Sequence, residues 1–115
     1  MERKIQRGDM FYANLPVGVG SEQRGTRPLL IISNDTGNKH SRTVIVAVIT
    51  SKDSNKTKIP TQCPIPAQQS LGWPSLVLLE QIRTIDKKRL REYIGTLDGD
   101  TMNKVDRALA VSVGL

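Results

Sequence analysis

The sequence predicts a mainly β domain: a small, strongly bent sheet or partly open β-barrel of five to six short strands with one C-terminal helix. Three observations predict it. Short runs rich in Val, Ile and Leu recur between clusters of Gly, Pro, Asn, Asp and Ser, which is the pattern of strands and turns. Helical periodicity extends over only the last segment. No strand is followed by a long helix, which argues against parallel βαβ units. At 115 residues, residues 1–115 form a single domain with one ordinary core.

Taken in order, Arg7-Gly8-Asp9 signals a turn, and residues 10–15 form a first strand ended by Pro16. Residues 18–27 read as a polar, charged loop carrying three glycines. Pro28 is expected to open the second strand, where its missing N–H and fixed φ are tolerated. Leu29, Leu30, Ile31 and Ile32 show no polar alternation, so both faces of that strand should be buried. Residues 34–38 (Asn-Asp-Thr-Gly-Asn) read as a dense turn.

Residues 43–50 are the strongest strand signal, with consecutive β-branched residues that suit a central position and Thr50 at its exit. Residues 51–58 are a polar, basic loop. Two prolines demote residues 59–65 to an edge strand. A loop with Trp73 leads to a fifth strand, residues 75–79, which runs into residues 80–84. Residues 85–90 suggest a short helical turn, and residues 92–97 a last strand. The final helix has Asp98 or Asp100 as its cap. Met102, Val105, Leu109 and Val113 share one of its faces, and Gly114 stands where it stops.

Composition narrows the functional classes. Seventeen basic and eleven acidic residues give a net charge of +6, which suits an anionic partner such as nucleic acid. Cys63 is the only cysteine, so neither an intrachain disulfide nor a thiolate metal cage can form, and a reduced, cytoplasmic location is expected. The basic N-terminus has no apolar stretch behind it, and the longest apolar run, residues 44–49, is far short of a membrane span. A lone histidine, His40, cannot supply an acid/base pair. There is no Walker A loop and no Gly-x-Ser-x-Gly elbow, and the scattered carboxylates show no metal-ligand spacing. No cofactor is expected. What remains is polar residues at strand ends: Arg27 before Pro28, Thr50 at the end of the central strand, Glu22 and Gln23 in the glycine loop, and Glu80-Gln81 following the fifth strand. An arginine beside a hydroxyl can bind a phosphate and stabilise extra negative charge.

These residues carry a resemblance. Arg7-Gly8-Asp9, Gly20-Ser21-Glu22-Gln23, Arg27-Pro28 with the aliphatic run to Asn34-Asp35, Val46-Ala47-Val48-Ile49-Thr50 and Leu78-Leu79-Glu80-Gln81-Ile82-Arg83-Thr84-Ile85-Asp86-Lys87 come in the order of the MazF/PemK family. Met102 with Lys104-Val105-Asp106 extends the match into the last helix, so it covers essentially the whole chain. The family consists of RNA-cleaving toxins of bacterial toxin–antitoxin pairs. The resemblance implies an SH3-like, CcdB/MazF-type barrel, a homodimer, an acidic MazE-like antitoxin as partner, and metal-independent cleavage of single-stranded RNA that inhibits translation and growth. It also implies Arg27 and Thr50 as the catalytic residues. Ser21, Glu22, Gln23, Arg24, Asn34 and Gln81 are the candidates for RNA contact, and Trp73 for stacking or packing. The sequence departs from close relatives at Arg24, at Thr26 and across residues 68–75. Two alternatives stand beside this reading: a non-catalytic nucleic-acid-binding barrel, and a CcdB-type gyrase poison, because fold does not fix function.

Overall fold

The computed structural model describes residues 4–15, 18, 20, 25–51, 59–67 and 71–115. The β-branched run forms β3 (Thr43–Ser51), which lies inside a six-stranded sheet. Around it are β1 (Asp9–Leu15), β2 (Gly25–Ile31), β4 (Gln62–Ile65), β5 (Ser75–Asp86) and β6 (Leu90–Thr96), in the order β4-β5-β3-β2-β1-β6. Every neighbouring pair is antiparallel. The two helices are α1 (Asp35–His40) and α2 (Gly99–Val113), and a single 3₁₀ turn, Lys87–Arg89, joins β5 to β6.

The sheet bends at a bulge in β5. Ala47 of β3 pairs with Ile82, but the next residue, Val48, pairs with Leu78, so the bulge spans Leu79, Glu80 and Gln81. Such an insertion turns a strand and raises its twist, which lets one long strand serve two parts of the sheet. The backbone of the bulge is satisfied elsewhere. Leu79 N–H donates to the Thr61 carbonyl at 2.9 Å, and Ser112 Oγ of α2 donates to the Leu79 carbonyl at 2.6 Å.

Two apolar clusters occupy the two faces. The first draws on all six strands, with Met10, Leu30, Ile49, Ile65, Leu79 and Ile94 among its members, and is covered by Val105 and Ala108 of α2. The second comprises alternate residues of β1, β2 and β3, including Phe11, Leu29, Ile31, Val46 and Val48, with Ile5 and Leu90 packed on it. Leu29, Leu30 and Ile31 are fully buried, as a strand apolar on both faces requires.

The turn at Arg7-Gly8-Asp9 ties the ends of the chain to the sheet. Gly8 adopts φ +96, donates from its N–H to the Ile31 carbonyl and accepts from the Leu97 N–H. Asp9 is buried, and its carboxylate accepts from Gln6 N–H at 2.9 Å and Thr96 Oγ1 at 2.7 Å. Arg7 donates through Nε to the Ile32 carbonyl and through Nη2 to Asp106 of α2 at 2.6 Å.

Three local expectations change. Pro28 lies inside β2, which begins at Gly25; it pairs with Tyr12 of β1, while the ladder to β3 starts at the next residue, so its missing N–H removes no β2–β3 bond. The turn expected at 34–38 is the start of α1, because Asn34 caps it by accepting from Gly37 N–H at 2.7 Å. On α2 the buried face is Val105 and Ala108 with Met102 and Leu109 against the core, whereas Val113 is half-exposed. The cap of α2 is Asp98, and Gly114 ends it in the left-handed region. The edge strand, the 3₁₀ turn and the last strand all form close to their expected positions. Of the basic loop expected at residues 51–58, Ser51 ends β3, and residues 52–58 lie outside the described residues.

Candidate RNA-cleaving site

Strand register decides whether Arg27 and Thr50 can act together. Along β2 and β3, Leu29 pairs with Val48, Leu30 with Ala47 and Ile31 with Val46. Continuing that register by one step sets Pro28 against Ile49, and by two steps Arg27 against Thr50. The ladder itself ends at Leu29–Val48. Directly opposed residues share a sheet face, with Cβ atoms about 4.5–5.5 Å apart in a regular ladder. Alternation gives the same result independently: Arg27 follows Leu29 and Ile31, and Thr50 follows Val46 and Val48, all members of the second cluster.

The two residues differ in their support. Thr50 is buried and lies opposite Leu76 of β5. Arg27 is half-buried and lies opposite Ala13 of β1. A planar guanidinium and a strand-held hydroxyl on one face form a donor set suited to phosphoryl oxygens.

The other expected site residues separate into three groups. Ser21, Glu22, Gln23 and Arg24 lie outside the described residues. Gln81 is half-buried in the β5 bulge, beginning beyond Leu78, which pairs with Val48 two positions from Thr50. Its neighbour Glu80 accepts from Gln62 Nε2 at 2.7 Å, tying the bulge to β4. Asn34 is at the far end of β2 from Arg27, where its side chain caps α1. Trp73 is 53% exposed on the loop before β5. Among the described residues no three His, Cys, Asp or Glu side chains cluster as a metal site. Cys63 is buried in β4, and burial pushes its thiol up, with Lys104 pulling partly the other way.

One group of cations lies outside the sequence-expected site. A cavity of about 940 Å³ opens between the N-terminal segment, α1 and the start of β6, lined by Lys4, Lys39, His40, Lys87 and Arg91. The run Lys87-Lys88-Arg89, followed by Arg91, is the sequence signal that marks it.

Comparison with known proteins gives a consistent answer. The family model for PemK-like, MazF-like toxins of type II toxin–antitoxin systems matches residues 6–113. An endoribonuclease from a mycobacterial species, solved in complex with its cognate antitoxin, is 30% identical over 96% of each chain, with a TM-score of 0.79. The Mycobacterium tuberculosis toxin MazF-mt6 is 25% identical, with a TM-score of 0.77, over 93% of this chain and 97% of that one. MazF from Deinococcus radiodurans, 23% identical over 99% of this chain and all of that one, shares the fold with a TM-score of 0.82. With nearly its whole length matched by one family model, the chain belongs to the PemK-like, MazF-like toxins of type II toxin–antitoxin systems.

Proposed function

We propose that the protein is a metal-independent endoribonuclease toxin that cleaves single-stranded mRNA at short sequences, and that Arg27 and Thr50 carry the reaction. The observation that carries this reading is strand alternation: Arg27 follows Leu29 and Ile31, and Thr50 follows Val46 and Val48, so both fall on the face of the second cluster. The endoribonuclease relatives support the activity, and the relative bound to its cognate antitoxin supports an acidic antitoxin as partner of this basic chain.

RNA brings its own nucleophile. The 2′-oxygen attacks the adjacent phosphorus, the bond from phosphorus to the 5′-oxygen breaks, and the products are a 2′,3′-cyclic phosphate and a 5′-hydroxyl. The proton lost from the 2′-hydroxyl passes to a base, and the departing 5′-oxygen takes one up. Arg27 neutralises the charge that develops on the phosphoryl oxygens, and Thr50 donates to the same phosphate. Arginine stays protonated at neutral pH, so it is not the base. Glu22, five residues before Arg27, is the carboxylate nearest to that arginine in sequence and the candidate for that role. Such a reaction needs orientation and charge stabilisation rather than a metal-bound nucleophile.

The sheet ends at β4 and β6, and small sheets cover such edges. A cytoplasmic homodimer is the assembly this reading includes. The test is to incubate purified protein with a long RNA in the presence of a chelator and map the cut ends by primer extension. Discrete cuts leaving 5′-hydroxyl ends are expected. Binding without cleavage, or cleavage that returns only with added magnesium, would overturn the reading.

A further inference from the structure

The basic cavity adjoins the catalytic face. Ala13 of β1 pairs on one side with Arg27 and on the other with Leu90, and Leu90 lines the cavity. Arg27, Ala13 and Leu90 therefore form a row across three strands. At about 4.7–4.9 Å between strands, the cavity wall stands roughly 10 Å from Arg27. Phe11, another wall residue, lies opposite Leu29 in the next row, and its ring meets that of Tyr93 edge to face with centroids 5.6 Å apart. Phe11 and Leu90 both belong with the second cluster, the face that Arg27 and Thr50 share.

The cavity is strongly cationic for its setting. Lys4, Lys39 and Arg91 are exposed at its rim, and the Lys87 ammonium is pinned to the Asn38 carbonyl. The one ion pair among the described residues is Arg7–Asp106, so none of these four cations is in an ion pair there. The carboxylate that lines the cavity, Asp35, already accepts from Arg7 N–H and Asn38 Nδ2. Unneutralised like charges at one pole repel one another in the free protein, and an anionic ligand relieves that repulsion.

We propose that this cavity binds the phosphates of the single-stranded RNA that flanks the cleaved step. The proposal rests on the RNA-cleaving reading. Continuity with the Arg27–Thr50 face favours RNA over an acidic polypeptide, because one strand leaving Arg27 over Ala13 reaches the cations within the footprint of about 4–16 nucleotides typical of a small barrel. The half-exposed Tyr93 ring at the wall offers a stacking surface for an unpaired base. The cavity then supplies sequence-independent affinity and orientation, while recognition of bases stays near Arg27.

The experiment compares wild type with Lys39→Glu/Arg91→Glu and with the milder Lys39→Gln/Arg91→Gln. Both positions are exposed, and circular dichroism verifies the fold. Binding is read by fluorescence anisotropy on two single-stranded RNAs, a short one spanning the cut and one extended on both sides, each with a 2′-deoxy sugar at the cut so that neither is cleaved. For wild type the extended RNA binds more tightly. The double charge reversal should shrink that advantage about tenfold, and the charge-neutral pair should lower the salt slope by roughly 1.4, at about 0.7 per phosphate contact on a single strand. An unchanged advantage and slope overturn the proposal. So does an RNA affinity that holds while binding of polyglutamate weakens, which would assign the cavity to an acidic protein partner. If wild type cleaves no RNA, the catalytic reading fails separately, and the binding comparison still reports on the cavity.

Discussion

Arg27 and Thr50 belong to different strands, yet alternation from the last rung of the β2–β3 ladder, Leu29–Val48, puts both on one sheet face. The pair sits just past the end of that ladder, where the strands no longer exchange backbone bonds. Arg27→Ala and Thr50→Ala are each expected to slow RNA cleavage about a hundredfold or more, since each removes a donor to developing charge. Arg27→Lys should recover little, because a point charge does not replace a two-pronged donor. Single-turnover rates at saturating protein check this, with thermal melts confirming that each variant folds. Wild-type rates in either alanine variant would remove that residue from the mechanism.

Gly8 is a position where a side chain is disfavoured for backbone reasons. Its φ of +96 is disfavoured for any residue with a Cβ, and a Cβ there would meet Met102 Cγ at 3.6 Å, ordinary contact. The penalty is therefore conformational rather than steric. Gly8→Ala should cost about 1–3 kcal/mol, the usual range for a held, sparsely populated backbone state. Urea denaturation measures it, and a midpoint equal to wild type would refute the assignment. Met102→Ala in the Gly8→Ala background should not restore the loss.

Asp98 provides a pH-dependent term. Its carboxylate accepts from Thr101 N–H at 2.7 Å, and that bond, more than the attraction of Lys104, holds its pKa below the ordinary aspartate value. A carboxyl whose pKa is lowered by folding stabilises the native state above its unfolded pKa and loses that contribution as pH falls through the folded one. Asp98→Asn keeps the cap but not the charge. Wild type should be the more stable near neutrality, and the gap should close as the pH falls below the carboxylate range. Denaturant midpoints across that range test the sign; a gap constant with pH would contradict it.

Much of this architecture was legible because the relevant signals are local. The β-branched run of β3, the prolines that confine β4 to an edge, and Asp98 with Gly114 around α2 each act through backbone preference within a few residues. What stayed hidden depends on distant partners. Pro28 was expected to open a strand, but β1 extends that strand back to Gly25 by pairing with it. The helix α1 was read as a turn because it is only six residues long and shares its Asn, Asp and Gly content with turns. The site divides in the same way. Arg27 and Thr50 stood out as polar residues at strand ends, but their alignment is a property of register. Asn34 read as a base-edge donor, whereas its carbonyl oxygen is engaged at the α1 cap. The basic cavity drew its cations from residues 4, 39, 87 and 91, and no window of sequence contains all four.

The strand order of the sheet also sets a time order on biosynthesis. Between β2 and β6, β1 waits for its second partner until residues 90–96 exist, and Arg7 waits for Asp106, 99 positions later. A ribosome adding residues one at a time holds the first strand half-paired for nearly the whole of synthesis. The row that links Arg27 through Ala13 to Leu90 is completed only at the end. Ribosome-bound chains stalled before Leu90 should be cut readily within β1 by protease, and chains stalled after the whole sequence has cleared the exit tunnel should resist.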